Sequence, residues 1–216
     1  AENTLLNLIE SSLQQIDWVW SVEDVKAYSI NQIASLVADH AYAKSPPILN
    51  ELINRKKPSG SSVAARKKLM YRMIDPSNQG KKNLALDGFP PERMIYITCI
   101  RELGLHIECK EGYWKFAIPK PTDGREKIVD MINAVDMFIS NSKEMVTVKV
   151  IYDFMAARPY GITDGVAPII TRAFLLAKDG EYAFCDRDSS GKFMCSPDID
   201  EEFVDKMMRA PMELGV

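Results

Sequence analysis

Two changes in the spacing of apolar residues constrain the fold of this chain more than any other feature. Up to Gly104 these residues recur at helical spacing, and residues 105–118 then alternate as two short strands do. The same change follows the very apolar helical segment from Val166 to Ala177, where a second strand-like stretch turns at Asp188-Ser-Ser-Gly191. The sequence therefore predicts a mostly helical α+β chain with two small β-hairpins.

Each predicted hairpin follows a run of helices, and three helices followed by a hairpin is the element order of a winged helix. We therefore predict tandem winged-helix-like units over residues 45–119 and 125–216, joined by a Pro- and Gly-containing linker at 120–124. N-terminal helices are expected over residues 1–44. One irregular α+β domain is the alternative.

Apolar spacing gives finer predictions at three places. In the N-terminal part it predicts one helix up to Trp20 and a second from Val22. Further on it predicts a short helix from Ile48 to Arg55, then a longer one that a serine caps and that runs to about Ile74. The segment from Val166 to Ala177 has only Thr171 and Arg172 as polar residues, so we expect that helix to be buried.

Charge is distributed unevenly. The whole chain carries −3, whereas the segment from Lys44 to Lys82 holds ten basic and two acidic residues, a net +8, which leaves −11 for the rest. A basic island in an acidic protein can orient a polyanion or an acidic partner, although solvated helix faces also look like this.

The helical period divides the basic stretch NELINRKKPSGSSVAARKKLMYRMI (50–74). Arg66 falls within the apolar arc of its helix, and Glu51 and Arg55 stand four residues apart. We therefore expect Glu51, Arg55 and Arg66 to form a structural ion pair between two helices. Five cations fall outside this arrangement and are the candidates for nucleic-acid contact: Lys56, Lys57, Lys67, Lys68 and Arg72.

The first predicted hairpin adds three more candidates. Its sequence ECKEGYWKF combines Lys110 and Lys115 with Tyr113 and Trp114, and aromatic and basic residues together can stack on bases and touch phosphates. We include Lys110, Tyr113 and Lys115 in the nucleic-acid set. An inward orientation of Trp114, in a small core, is an equal alternative.

No sequence pattern predicts catalysis or a cofactor. The Gly/Ser turn lacks the GxxxxGK[ST] spacing of a phosphate loop, and the dinucleotide, serine-hydrolase and zinc-protease motifs are absent. The four cysteines form no CxxC pair, so we expect no metal site and reduced thiols in a cytoplasmic protein. No apolar run reaches the ~20 residues that span a bilayer. Because the chain opens on alanine, we expect a piece of something longer.

Two parts of the chain carry a resemblance to a known family. The stretch NELINRKKPSGSSVAARKKLMYRMI with LALDGFPPERMIYITCIRELGLH, and later ARPYGITDGVAPIITRAFLLAKDGEYAFCDRDSSGKFMCSPDIDEEFVDKMMRAP, resembles the very large P-loop ATPases of bacterial phage-defence (BREX-like) systems. The resemblance covers about residues 45 to 210. In that family the nucleotide site lies on a separate ATPase domain, so no catalytic residue carries over. It implies a non-catalytic helical and winged-helix portion of a machine that acts on or near DNA.

Three functional hypotheses follow. The first is a winged-helix segment of a larger bacterial ATPase that contacts double-stranded DNA without sequence specificity. The second is a scaffold that docks an ATPase domain or a partner subunit through the basic face. A free-standing enzyme is the third and weakest, because no nucleophile–base or metal set emerges.

Overall fold

The structure is a computed structural model, and its contacts divide the chain into two compact units, residues 1–43 and 44–216. It describes residues 7, 11, 18–20, 23–25, 29–55, 57–109, 112–122, 124–196 and 199–216.

The first unit contains one strand pair and one helix in its described part. Strand β1 (Trp18–Trp20) pairs antiparallel with β2 (Glu23–Val25), so that Trp20 lies opposite Glu23. Helix α1 (Ile30–Ala41) follows, and its N-cap Ser29 accepts a hydrogen bond from the backbone of Gln32. The helices predicted on either side of Ser21 are wrong at residues 18–20 and 23–25, where aromatic and β-branched residues favour extended backbone. Most of the first predicted helix lies outside the described residues.

The first half of the second unit contains a hairpin and four helices, one more than the three that the sequence predicts. The additional helix is the four-residue helix Pro76–Gln79. These elements are α2 (Glu51–Asn54), α3 (Gly60–Arg72), α4 (Pro76–Gln79), α5 (Pro91–Tyr96, continued by a π-helical segment Ile97–Arg101), β3 (His106–Glu108) and β4 (Trp114–Phe116).

The second half repeats the order of helices before a hairpin and then adds a last helix and strand. Its elements are α6 (Glu126–Ser140), α7 (Val148–Ala156), α8 (Ala167–Ala177), β5 (Phe184–Arg187), β6 (Phe193–Ser196), α9 (Glu201–Arg209) and β7 (Leu214–Gly215). Strand β7 was not predicted, because two residues are too short for a periodic signal.

The two sheets of this unit are small and antiparallel. In the first, β3 pairs with β4 and His106 lies opposite Phe116. In the second, β5 is the central strand between β6 and β7, and Cys185 therefore lies opposite both Cys195 and Gly215. The α+β class predicted from the sequence is confirmed.

One hydrophobic core holds both halves of the second unit together. Leu69 and Met70 of α3, Ile100 of the π-helical segment and Ile132 of α6 are all buried in it. Every residue from Ala167 to Leu175 is also buried, Thr171 and Arg172 included, which confirms the prediction of a buried helix. The division of this unit into two winged-helix-like units, joined by a linker at 120–124, stays a prediction. Among the described helices, none is long and apolar enough to cross a membrane.

The second hairpin carries a disulfide that the spacing of the cysteines does not predict. Cys185 and Cys195 are bonded across β5 and β6, whereas Cys99 and Cys109 are free thiols. The expectation of four reduced thiols is therefore wrong for this pair. Cysteines ten residues apart meet here because the hairpin register places them directly opposite each other.

Candidate nucleic-acid interface

Helix α3 carries most of the basic stretch, and a serine fixes its start. The hydroxyl of Ser59 accepts a hydrogen bond from the backbone N–H of Ser62 at 3.2 Å, so Ser59 is the N-cap. The Pro-Ser-Gly-Ser-Ser turn is therefore a helix cap, as its lack of phosphate-loop spacing predicts. Leu69 and Met70 face the core, which leaves the opposite face of the helix to the charged residues.

Lys67 is used inside the protein. Its ammonium group lies 2.8 Å from the carboxylate of Asp205 on α9, and the hydroxyl of Tyr71 donates to the other oxygen of that carboxylate at 2.9 Å. The hydrogen bond to Asp205 raises the pKa of Lys67, and the same hydrogen bond lowers the pKa of Asp205. This cation is therefore neutralised before any external anion reaches it.

Lys68 and Arg72, unlike Lys67, extend into solvent. They stand one helical turn apart on the exposed face of α3, and neither forms an ion pair in the part of the chain that the structure describes. The guanidinium of Arg72 donates to the side-chain oxygen of Asn78 at 3.4 Å, which links the end of α3 to α4. Two like charges thus remain side by side in solvent.

The charged surface continues beyond α4. Asp75 caps α4, and hydrogen bonds from Ser77 lower the pKa of its carboxylate, which the charges of Lys81 and Arg72 lower further. Arg72 and Lys81 therefore both lie close to Asp75. Lys81 and Lys82 are exposed, and like Arg72 they have no ion pair among the described residues.

The first hairpin lies against the end of α4. The backbone N–H of Trp114 donates to the carbonyl of Gly80 at 3.1 Å, and the ring of Tyr113 lies where a side chain at Gly80 would stand. Tyr113 is 58% exposed, and Lys115, two residues on, shares its outward face. Trp114 is buried, which decides for the inward orientation left open by the sequence.

These contacts join three elements into one surface, which we name the basic surface. It consists of Lys68, Arg72, Lys81, Lys82, Tyr113 and Lys115. None of its five cations has a carboxylate within 4.0 Å among the described residues, and the acidic groups at its edge are Asp75 and the exposed Glu108. Such an arrangement can bind a chain of phosphates by charge, with one aromatic ring open to a base or sugar.

The sequence pointed to only part of this surface. Lys81 and Lys82 belong to the basic island but are not among the predicted contacts, because no local sequence signal links them to the hairpin. Lys57 is exposed, but it lies before the start of α3, at the other end of the helix from Arg72. Lys56 and Lys110 lie outside the described residues.

The expected ion pair of Glu51, Arg55 and Arg66 needs correction. Among the described residues no salt bridge joins Glu51 to either arginine, and Arg66 instead donates to the backbone carbonyls of Asp164 and Gly165, at 3.2 and 3.3 Å. Arg66 is half-buried, as its place on the apolar arc predicts. Its partners lie about a hundred residues further along the chain, and the helical period predicts contacts only between neighbouring residues.

Two titratable side chains outside the basic surface, those of His106 and Cys99, are buried in the protein. The ring of His106 is buried, and its Nε2 lies 2.8 Å from the carbonyl of Gln79 while its Nδ1 lies 2.8 Å from the hydroxyl of Tyr96. Burial raises the pKa of the Cys99 thiol to about 12, which leaves a poor nucleophile at neutral pH. No three metal-ligating residues cluster among the residues that the structure describes.

Comparisons with models of known protein families, with curated proteins and with solved structures find no match to this chain.

Proposed function

We propose that this chain is a non-catalytic module that holds the backbone of double-stranded DNA through its basic surface, without reading the base sequence. The observation that carries this proposal is the contrast between Lys67 and Lys68. The first is neutralised by Asp205, whereas the second stands with four further cations that have no ion pair in the described chain. Unpaired cations on neighbouring elements suit a polyanion whose charges repeat along its length.

Contact with the backbone fits the surface better than contact with base edges. Four of the five cations are lysines, and a lysine meets a phosphate as a point charge. Helix α8 is buried from Ala167 to Leu175, and α5 with its continuation buries Ile95, Tyr96, Cys99 and Ile100. Neither helix has a broad free polar face for the major groove.

The proposal includes the finer architecture expected from the sequence. Residues 45–119 and 125–216 would be two winged-helix-like units, since helices precede a hairpin in each, and Tyr113 and Lys115 would lie on the wing of the first. The resemblance given above supports placing the module within a larger bacterial, cytoplasmic ATPase with other domains or subunits as its neighbours.

A salt titration of duplex binding tests the DNA proposal. Fluorescence anisotropy with a mixed-sequence duplex, between about 50 and about 200 mM salt, should give a log–log slope of about −4.5 if all five cations meet phosphates. Lys68→Gln should reduce the size of that slope by about one unit. Lys67→Gln is the matched control, because the neighbouring cation is already paired, and it should leave the slope unchanged.

Two results would remove the DNA proposal. One is the absence of duplex binding at low salt. The other is a binding curve that the combined Lys81→Glu and Lys82→Glu changes leave in place.

A scaffold is the second candidate function, and exposed apolar side chains favour it. Phe89 is 92% exposed and Leu49 is 85% exposed, while Met94 on α5 is half exposed. Apolar groups left in water commonly mark contact with another protein. This function predicts co-purification with a second component of the machine, which Phe89→Ser should release without weakening duplex binding. Duplex binding in the absence of any associated component would contradict it.

A further inference from the structure

A cleft of about 460 Å³ lies between α3 and the loop that precedes α8. One wall comes from the end of α2 and the turn after it, with Arg55 and Pro58, and the other comes from residues 162–165. Arg66 of α3 and Met208 of α9 complete the lining. The cleft is therefore built from four separate parts of the second unit.

Arg66 brings a poorly compensated positive charge into this cleft. One of its terminal nitrogens donates to two backbone carbonyls, but its Nε is buried without a hydrogen-bond partner in the structure. Burial lowers the pKa of Arg66, and the charge of Asp164 opposes this effect without forming an ion pair. A guanidinium in this condition gains more from an anion than a solvated one does.

Arg55 opens into the same cleft. It is exposed and, like Arg66, has no ion pair among the described residues, since Glu51 does not reach it. Among the described residues, the lining of this cavity thus includes two arginines and one carboxylate, that of Asp164. The formal charge of the lining is positive.

The neutral polar groups of the lining are already occupied. The hydroxyl of Thr163 donates to the side-chain oxygen of Asn54 at 3.1 Å, and the amide nitrogen of Asn54 donates to the carbonyl of Ile48 at 2.8 Å. What the described lining offers to a ligand is therefore two arginines, offset in part by the exposed carboxylate of Asp164, and the apolar surfaces of Met208 and Pro58.

This combination selects the class of ligand. A guanidinium binds two oxygens of a phosphate at once, and a phosphate monoester carries close to two negative charges, which match two arginines. A volume of about 460 Å³ exceeds that of a bare phosphate ion and leaves room for an organic part beside the apolar side chains.

We propose that this cleft binds a phosphate monoester, with Arg55 and Arg66 on the phosphoryl group and Met208 and Pro58 against the organic part. The site is distinct from the basic surface and does not rest on the proposed duplex contact. The ester is either a small phosphorylated molecule or the 5′-phosphate end of a nucleic-acid strand, which share the chemistry that the cleft recognises.

Isothermal titration of the full chain distinguishes these sources. The small-molecule probes are deoxyadenosine 5′-monophosphate and, for comparison, deoxyadenosine. The nucleic-acid probes are a short single strand with a 5′-phosphate and the same strand with a 5′-hydroxyl. Preference for the mononucleotide over its nucleoside assigns a small ester, whereas preference confined to the phosphorylated strand assigns a nucleic-acid end.

Arg55→Gln should weaken binding of the preferred probe at least about tenfold, because the exposed arginine contributes two hydrogen bonds and one charge. Arg187→Gln, at an exposed arginine on β5 outside the cleft, should leave it unchanged. Circular dichroism checks that both variants stay folded.

Equal binding of phosphorylated and unphosphorylated probes, or an Arg55→Gln variant that binds as the wild type does, overturns the proposal. Lys81→Glu with Lys82→Glu should weaken duplex binding alone, so the two proposals fail separately.

Discussion

Gly165 lies directly against the backbone carbonyl of Ile53. A Cβ atom added to Gly165 would overlap that carbonyl oxygen and press on the carbonyl carbon behind it. Because the obstacle is main chain, it cannot rotate away as a side chain does. The loop before α8 and the helix α2 therefore meet at a point where only glycine fits.

Gly165→Ala should accordingly lower the free energy of unfolding by about 1–3 kcal/mol, the usual effect of overpacking a buried contact. Urea denaturation followed by circular dichroism measures this. Gly60→Ala is the matched control, since a Cβ at the exposed first residue of α3 meets nothing within 4 Å. Equal stability of the two variants would show that α2 and the loop do not pack this closely.

Acid should destabilise the protein through His106. Its Nε2 donates to the carbonyl of Gln79, so the neutral ring accepts the hydroxyl of Tyr96 at Nδ1, and burial among Trp114 and Phe116 lowers the pKa of His106. The unfolded chain then takes up the proton first, near pH 6.5, and stability falls as the pH drops from there towards the lowered folded pKa.

Urea unfolding at a series of pH values from about 7.5 to about 5 tests the His106 prediction. His106→Gln should remove part of the loss of stability in acid. His40→Gln, at an exposed position on α1, should keep it. A His106→Gln protein with the full acid slope would assign the effect to other groups.

Arg172 should be replaceable by an apolar residue of similar length. It is 4% exposed, its Nε has no hydrogen-bond partner among the described residues, and burial lowers its pKa to about 10. One terminal nitrogen donates to the carbonyl of Met73 at 3.3 Å, but Gln79 also donates to that oxygen, at 2.9 Å. Arg172→Met should therefore keep the free energy of unfolding or raise it by about 1 kcal/mol.

The comparison variant for this site is Arg172→Ala, which should lose about 2–4 kcal/mol because it leaves a cavity between α8 and α3. Both values come from urea denaturation at neutral pH. A methionine variant as unstable as the alanine variant would mean that the guanidinium itself stabilises the core.

The disulfide between Cys185 and Cys195 predicts how many thiols react before and after reduction. In denaturant without reductant, two thiols should react, those of Cys99 and Cys109, and four should react after reduction. Cys195→Ser should lower the free energy of unfolding by about 2–3 kcal/mol, because the bond closes a short loop in the unfolded chain. Cys109→Ser should have little effect. Four reactive thiols before reduction would restore the original expectation of free cysteines.

The sequence predicts those features of the fold that depend on neighbouring residues. The cap at Ser59, the hairpin of β3 and β4 and the burial of α8 each follow from a few neighbouring residues, since capping, alternation and apolar periodicity act over one or two turns. The pair of strands at residues 18–20 and 23–25 shows the limit, because a short apolar run fits a helix and a strand alike.

The candidate sites were predictable only in outline. The sequence located the basic island between Lys44 and Lys82 and placed Arg66 on the apolar arc, but it assigned Arg66 to Glu51 and grouped Lys67 with Lys68. It gave no sign that Arg55 and Arg66 line a common cleft with Met208, because these residues meet only when α9 and the loop before α8 pack on α3.

Lys67 and Lys68 show which properties depend on the sequence alone and which depend on the tertiary structure. The sequence by itself determined that both lie on the polar side of α3, since the helical period depends on neighbouring residues alone. Only the tertiary structure decided that Lys67 is neutralised by Asp205, whereas Lys68 has no ion pair among the described residues. The deciding group, Asp205, lies 138 residues further along the chain, and a charge at that separation acts on Lys67 only after folding brings it to 2.8 Å.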